Sequence, residues 1–465
     1  MLAPITAVGV IVALIVATAA LATGVLINGS PAAAPRASSV ALATGSYVPS
    51  GAVETPGQSA AQSAASAAGS PAISPASVST IAPSGAAPVA TASALASDDT
   101  GDGCGGPVAD SHLTPPTRPA AAEVLPALPS IAAGHFGAAG TLIANGGYDT
   151  ATLLQNGQVL FIGGGHPNTR AELYDPATDK FTQTGSMTEG RNDPIAVLLP
   201  NDKVLVASGN TGGCALGEIQ SVELYDPGTG HFTSLGTPLA GSGYETATLL
   251  ANGKVLLAGG QFDDSIHPDG AASAELFDPA TSTFSLAGAP IQVHSGGTAT
   301  LLADHTVLIA GGSSKSSSIT NFAELYRPDH NDFVAVSGSM AFSRSGATAT
   351  LLDSGLVLIA GGIDAGLAPT ASAELYNPAT QTFAATGTMI HVRTGQTATL
   401  LPGNKVLMAG GLDSGAPNTA EIWSGGSFTA TAGNMTHNYA GATATLLSNG
   451  RVLIVGGGSA DLYQP

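Results

Sequence analysis

Residues 348–383 read TATLLDSGLVLIAGGIDAGLAPTASAELYNPATQTF. The stretch holds four short segments rich in aliphatic, β-branched and aromatic residues, and turn residues separate them. The first segment is Thr-Ala-Thr-Leu-Leu, the second Val-Leu-x-x-Gly-Gly and the third Ala-Glu-Leu-Tyr, and Phe marks the fourth. The pattern recurs along the last two thirds of the chain, where first segments begin at Thr150, Ile195, Thr246, Thr298, Thr348, Thr397 and Thr443.

The period of this repeat predicts the architecture. Successive first segments start 45, 51, 52, 50, 49 and 46 residues apart. A repeat of this length with four β segments is typical of a β-propeller, with one blade per repeat. Asn-Gly and Asp-Pro pairs between the segments favour tight turns. We therefore expect an all-β, seven-bladed propeller of four-stranded antiparallel blades over residues 131–465.

The last repeat lacks a fourth segment in sequence order. Seven copies of the first three segments are present, but only six of the fourth, because the sequence given ends at Pro465. The missing segment is expected upstream, where residues 135–142 align with residues 180–187. The strand around Phe136 is therefore predicted to complete the blade formed by residues 443–465, which removes an exposed sheet edge.

The repeats resemble those of the kelch family, in the superfamily that includes galactose oxidase. The resemblance rests on the apolar run that ends in Gly-Gly, the spaced Tyr and the following aromatic residue, and it covers residues 131–465. Phe stands where kelch repeats usually have Trp, and the single Trp, Trp423, occupies a Tyr position. The resemblance implies the propeller fold.

The same resemblance raises the question of copper chemistry. Copper radical oxidases similar to galactose oxidase use His and Tyr ligands, a Tyr cross-linked to a Cys, and a ligand from an additional domain. Here Cys214 is the one Cys in the repeats, and Tyr148, Tyr244 and Tyr439 precede inner strands. The sequence given stops within the last repeat. We take this departure as an argument against an oxidase.

The N-terminal third has a different composition. Residues 5–27 are uncharged and mostly apolar, which is long enough for a helix that spans a bilayer. Residues 1–28 are therefore interpreted as a transmembrane anchor or as a cleaved signal with a site at Ala20-Leu21-Ala22. Residues 29–130, rich in Ala, Ser and Pro, predict a disordered linker. Both alternatives predict a propeller outside the cytoplasm, either anchored or secreted.

Charge and cysteine content limit the partners. The formal net charge is −19, which argues against nucleic acid or an anionic lipid surface as the main partner. We expect a monomer. The two cysteines are Cys104 in the linker and Cys214 in a blade loop. In an oxidising compartment they could form a disulfide, and two unpaired thiols are the alternative.

One carboxylate recurs in every repeat. A residue present in each blade serves a requirement that each blade has, so we expect these side chains to accept hydrogen bonds from backbone N–H groups or from an Arg of an adjacent blade. A catalytic role for seven equivalent carboxylates is the less economical interpretation. The set comprises Glu172, Glu223, Glu275, Glu324, Glu374, Glu421 and Asp461.

Strand order places the loops after Gly-Gly and the connections between blades on one face. Those loops vary in length, so this face and the mouth of the central channel are the candidate binding surface. Three connections read Met-x-x-x-Arg and place Arg191, Arg344 and Arg393 before inner strands. Each Arg either contacts an anionic or carbohydrate ligand or forms an ion pair with the repeated Glu.

Two sets of unrepeated residues suggest metal binding. The loop of the third repeat contains three Asp and one His within seven residues, and an oxygen-rich loop of this kind can hold Ca²⁺. It lacks a terminal Glu, so a solvated polar loop is the alternative. Three histidines in separate connections would suit a transition metal such as copper, and isolated exposed histidines are the alternative. The residues are Asp263, Asp264, His267 and Asp269 for the first set and His294, His391 and His437 for the second.

These observations support two functional hypotheses. The first is a non-enzymatic, extracytoplasmic binding module that recognises a protein or glycan through the variable loops, with no cofactor. The alternative is a metal-dependent extracytoplasmic enzyme, oxidase-like, with its site at the channel mouth. The sequence contains no Gly-x-Ser-x-Gly, His-Glu-x-x-His or phosphate-loop motif, so no catalytic residue is assigned.

Overall fold

A computed structural model describes residues 131–143, 150–164, 168–211, 219–239, 246–259, 274–314, 318–411, 418–439 and 441–465. Within these ranges 28 β-strands form seven four-stranded antiparallel sheets, one for each repeat. The seven-bladed, all-β architecture predicted from the repeats is confirmed. In the described part of the chain there is also no helix with the length and apolarity needed to cross a bilayer.

The strands follow the repeat boundaries. Blades 1 and 2 contain β2 (Thr150–Leu153), β3 (Val159–Ile162), β4 (Ala171–Asp175), β5 (Lys180–Gln183), β6 (Ile195–Leu198), β7 (Val204–Ala207), β8 (Val222–Asp226) and β9 (His231–Gly236). Blades 3 and 4 contain β10 (Thr246–Leu249), β11 (Val255–Ala258), β12 (Glu275–Asp278), β13 (Thr283–Leu286), β14 (Thr298–Leu301), β15 (Val307–Ala310), β16 (Ala323–Arg327) and β17 (Asp332–Ala335).

The remaining blades repeat this order. Blades 5 and 6 contain β18 (Thr348–Leu351), β19 (Val357–Ala360), β20 (Ala373–Asn377), β21 (Thr382–Ala385), β22 (Thr397–Leu401), β23 (Lys405–Ala409), β24 (Ala420–Ser424) and β25 (Ser427–Ala430). Blade 7 combines the N-terminal strand with three C-terminal ones, and it contains β1 (His135–Ala138), β26 (Thr443–Leu446), β27 (Val452–Gly456) and β28 (Ser459–Gln464).

Seven buried apolar clusters hold the blades together. Each cluster combines side chains of two neighbouring blades, and the set includes the pair formed by blades 7 and 1. The second strand of each blade supplies more of this core than any other strand, because its residues are buried on both faces. Its Val-Leu-rich sequence therefore reflects a strand covered on both sides by other blades.

The spaced aromatic residues form one ring pair per blade in six blades. Tyr174 packs on Phe181 with ring centroids 4.9 Å apart, and the other pairs have separations of 4.8 to 5.1 Å with tilted planes. Such tilted pairs add roughly 0.5–1.5 kcal/mol beyond the burial of their area. The repeated Tyr and Phe positions are thus a packing requirement of the third and fourth strands.

Strand direction defines two faces. We call the face with the loops after Gly-Gly and the connections between blades the connection face, and the opposite face, with the two short turns of each blade, the turn face. In blade 7, β1 pairs antiparallel with β28, with Phe136 opposite Tyr463. The N–H of Gly134 donates to the carbonyl of Gln464 over 2.7 Å. The chain therefore enters β1 from the turn face.

Substitution of Phe136 tests the contribution of β1. Its ring is half-buried and lies 4.8 Å from the ring of Tyr463. Phe136→Ala is expected to lower the free energy of unfolding by about 2–3 kcal/mol, less than for a fully buried Phe. Urea denaturation measures this value. His135→Ala, an exposed position in the same strand, should change it by less than about 0.5 kcal/mol. Equal stabilities of the two variants would contradict the role given to this pair.

Candidate functional site

The three predicted arginines lie inside the protein. Arg191, Arg344 and Arg393 are at most 1% exposed. Each donates to the repeated Glu of the blade that its connection enters, with nitrogen–oxygen distances of 2.9 to 3.0 Å. Each also donates to the carbonyl of the residue at the first Gly-Gly position of that blade, at 2.7 to 3.0 Å. Of the two interpretations, the structure therefore shows the ion pair, and within one blade rather than between two.

The main chain of the same residue contacts the preceding blade. The carbonyl oxygen of Arg344 accepts from the N–H of Gly312 at 2.6 Å, and that of Arg393 accepts from the N–H of Gly362 at 2.8 Å. A Cβ atom at Gly311 would lie 2.5 Å from the carbonyl oxygen of Arg344, where only glycine leaves enough room. One residue thus links two adjacent blades, through its side chain on one side and its backbone on the other.

The repeated carboxylates also bind the connections directly. The second oxygen of Glu374 accepts from the N–H of Ala341 at 2.7 Å, and Glu223, Glu324 and Glu421 accept from the corresponding N–H groups at 2.7 to 2.8 Å. In blade 7, Asp461 accepts from the N–H of Thr436 at 2.7 Å. The predicted structural role of these carboxylates as acceptors is what the described contacts show.

Two blades use a different side chain at the Arg position. In blade 4, His294 is 2% exposed, and its ring nitrogens lie 2.6 Å from the carbonyl oxygen of Gly311 and 3.0 Å from Glu324. The ring thus lies between a backbone carbonyl and the repeated carboxylate, as the Arg side chains do in their blades. In blade 7, Tyr439 is fully buried, and burial together with Asp461 raises the pKa of its phenol well above the usual range.

The predicted metal ligands do not come together. His294 is held by its own blade, His391 is half-buried, and His437 is exposed beside Thr436. Among the described residues no group of three or more His, Cys, Asp or Glu side chains has the arrangement of a metal site. The copper set implied by the oxidase resemblance therefore does not fit the part of the chain that the structure describes. The predicted residues outside it are Cys104, Cys214, Asp263, Asp264, His267 and Asp269.

The channel mouth differs from blade to blade. In blades 4 to 7 the residue two positions before the inner strand is a glycine, and its φ lies between 62° and 69°. Two hydrogen bonds, from Gly346 to the carbonyl of Gly296 and from Gly395 to that of Gly346, join these connections around the mouth. In blade 2 this position is Asp193, which also has a positive φ of 52°. A side chain at this strained position is a departure from the repeat.

The environment of Asp193 affects its ionisation. Water reaches the side chain, but protein surrounds it in the mouth, and this desolvation raises the pKa of the carboxyl. A hydrogen bond with Asn210 acts in the opposite direction with a smaller effect. The ionised form is therefore disfavoured relative to an exposed aspartate.

A cleft opens on the connection face at blade 2. It has a volume of about 600 Å³ and is lined by Thr169, Glu189, Gly190, Thr211, Ile219, Gln220, Ser221 and Thr237. The hydroxyl of Ser221 accepts from Arg191 at 2.7 Å and donates to Glu189 at 2.6 Å. The buried ion pair thus orients the Glu189 carboxylate at the edge of the cleft. The lining surface is mostly apolar, and hydroxyl, amide and carboxylate groups from Thr, Ser, Gln and Glu are placed on it, which suits a ligand with both apolar and polar parts.

Sequence reasoning missed both Asp193 and the cleft. An alignment of the connections would have shown Asp193 opposite glycines, and Glu189 opposite Gln292, Phe342, His391 and His437. Both residues could have been found because blade 2 differs from the other repeats at these two positions. The cleft itself depends on how loops of two blades approach each other, which no single repeat reveals.

Substitution of Arg393 separates a structural role from a ligand-binding one. Arg393→Met leaves Glu421 buried without its cation and is expected to lower the free energy of unfolding by about 3–5 kcal/mol. Arg393→Met combined with Glu421→Leu should recover part of this loss. The control is Arg327→Met, which breaks the exposed pair with Asp332 and should cost less than about 1 kcal/mol. Equal losses for the two arginines would contradict the role assigned to Arg393.

Asp193→Asn tests the raised pKa of this carboxyl. A raised folded-state pKa means that the folded chain binds protons more tightly than the unfolded chain, so Asp193 destabilises the fold as pH rises above its unfolded value. Asn tolerates positive φ and keeps the polar contact. The variant is expected to melt at a higher temperature than the native chain at pH 7, and this difference should disappear as pH falls below the ordinary Asp range. A constant difference across the titration would contradict the assignment.

Comparison with known proteins gives matches at the level of structure. No protein-family model and no curated protein match the sequence. A fungal alcohol oxidase of the AA5 family, solved in complex with copper, is 17% identical, with a TM-score of 0.56 over 72% of this chain and 77% of that chain. YjhT is 16% identical, with a TM-score of 0.49 over 62% of this chain and 98% of that chain. These similarities concern the fold alone, which is the seven-bladed β-propeller described above.

Proposed function

We propose that this propeller is a non-enzymatic binding module that recognises a protein or glycan on its connection face. The single observation that supports this proposal is that the features unique to one blade lie on the connection face. The carboxylates that recur in every blade are buried, whereas the unrepeated features, the Glu189 cleft and Asp193, are exposed on the connection face. Variable features on a rigid scaffold are the usual location of binding sites.

The direction of chain entry supports the same face. The described chain enters β1 from the turn face, which is opposite the connection face. We propose that residues 5–27 act as an anchor or signal, that residues 29–130 act as a linker, and that the strand around Phe136 closes the ring. In that arrangement an extracytoplasmic propeller, monomeric and displayed on a stalk, presents its connection face outward.

A blocking experiment tests the location of binding. The full chain is screened on a glycan array and a peptide library, and any ligand found is then measured against Thr237→Trp and Thr281→Trp. Thr237 is exposed and lines the cleft, whereas Thr281 is exposed in a turn on the turn face. Thr237→Trp is expected to weaken binding at least roughly tenfold, because the larger side chain fills the cleft and displaces the ligand. Thr281→Trp is expected to leave binding unchanged.

The opposite pattern would place the binding site on the turn face and contradict the proposal. A protein that binds nothing in either screen would instead support a purely structural role at the cell surface. Melting temperatures of both variants serve as controls, because exposed substitutions at these positions should leave the fold unchanged.

A metal-dependent oxidase-like enzyme is the second candidate. Its support is the fold shared with a copper alcohol oxidase and the proximity of His437 and Tyr439, whose rings are 6.3 Å apart. Elemental analysis of the purified full chain distinguishes the candidates. A binding module should contain no stoichiometric metal. One copper or zinc per chain, lost on His437→Ala, would favour the enzyme.

A further inference from the structure

Exposed apolar side chains concentrate at one position of the repeat. Among the described residues six large apolar side chains are exposed, and five of them lie in the connections, six or seven residues before an inner strand. The sixth, Leu286, is on the outer strand β13. The five are Ile143 at 52%, Leu239 at 66%, Ile291 at 51%, Phe342 at 47% and Ile390 at 53% exposure.

Four of these side chains occupy consecutive blades. Leu239, Ile291, Phe342 and Ile390 lie in the connections that enter blades 3, 4, 5 and 6. We call this set the apolar arc. The connections into blades 2 and 7, on either side of Ile143, carry Thr188 and Thr436 instead. Exposed apolar residues thus recur in consecutive blades on one side of the connection face.

The fold does not require apolar side chains at this position. What the repeated carboxylate binds is the backbone N–H, which Ile291 and Ile390 donate over 2.8 and 2.7 Å. Thr188 makes the same contact over 2.7 Å, so a polar residue satisfies it equally well. The side chains of the arc are therefore available for a contact outside this chain.

Charge is distributed in a complementary way. Six basic residues of the described chain lie at the turn face, namely Lys180, Lys203, Lys254, Arg327, Lys405 and Arg451. The guanidinium groups near the arc, those of Arg344 and Arg393, are buried against carboxylates. The described connection face is left with exposed apolar groups, the acidic residues Glu189, Asp193 and Asp364, and one exposed basic residue, Arg170, in a chain of net charge −19. An apolar centre depleted of charge is typical of a protein interface.

We propose that the apolar arc is the docking surface for a partner protein that presents an apolar patch bordered by Lys or Arg residues. The apolar patch would cover the arc, and the basic border would complement the acidic surroundings. A lipid surface is less well matched, because described basic residues that would bind anionic headgroups lie mainly on the opposite face. This inference rests on the proposed function, since it names the partner of the same face.

Binding of defined probes to the full chain tests the proposal. The probes are a Leu/Lys amphipathic peptide, a Leu/Glu peptide of the same pattern, a Ser/Lys peptide without apolar residues, and vesicles of phosphatidylcholine with and without phosphatidylserine. The arc variant is Ile291→Ser with Ile390→Ser. The control is Leu286→Ser, which removes an equally exposed aliphatic side chain (59%) from the outer strand of blade 3.

The Leu/Lys peptide should bind the native chain and the Leu286→Ser control, and the arc variant should bind it at least roughly tenfold more weakly. Equal binding of the Ser/Lys peptide, or undiminished binding to the arc variant, would overturn the proposal. Binding of vesicles in preference to peptides would identify a membrane as the partner instead.

The outcomes also separate this inference from the proposed function. If peptides fail to bind but a glycan binds and Thr237→Trp abolishes that binding, the arc proposal is wrong and the binding module stands. If the connection face binds no probe and no ligand of either screen, both are wrong. Circular dichroism of the arc variant should match the native chain, because neither substituted side chain is buried.

Discussion

The ring depends on buried side chains of the connections, of which the Arg–Glu pairs of blades 2, 5 and 6 are the clearest. In blades 5 and 6 the backbone of the same Arg also bonds to the blade before it. In blade 5, Arg344 holds Glu374 and the carbonyl of Gly361, while its own carbonyl accepts from Gly312 of blade 4. The carboxylate in turn holds the N–H of Ala341. A guanidinium and a carboxylate would each be costly to bury alone. Here the two are bonded to each other and to nearby backbone groups, so they can act as a joint that connects the blades from inside the protein.

The joint explains which substitutions the repeat accepts. Arg, His and Tyr occupy the same position in different described blades: Arg and His bond to the carboxylate, and the buried Tyr439 ring lies close enough to Asp461 for that carboxylate to raise the pKa of its phenol. Glycine at Gly311 is more restricted, because any Cβ atom there would collide with the neighbouring connection. The position of Arg344 therefore accepts different polar side chains in different blades, whereas Gly311 leaves no room for a side chain.

The architecture was predictable from sequence because propeller blades are local structures. Each blade other than the last is a run of consecutive strands, so the spacing of Thr348, the Gly-Gly pair and Tyr376 in one repeat defines the sheet that forms. The repeated Glu could be assigned a structural role for the same reason. By contrast, the Glu189 cleft and the apolar arc arise where loops of different blades meet. A comparison of aligned connections points to the residues, such as Asp193 and Ile291, but their exposure and surroundings are properties of the assembled ring.

The buried ion pairs also have a consequence for behaviour on heating. Hydration of charged groups becomes less favourable as temperature rises, so the penalty for removing Arg191, Arg344 and Arg393 from water decreases. Apolar burial gains little further strength over the same range. The joints between blades should therefore contribute a growing share of cohesion in a warm environment. A propeller assembled in this way has a route to heat tolerance that needs no larger core, only more blades joined by the same Arg–Glu pair.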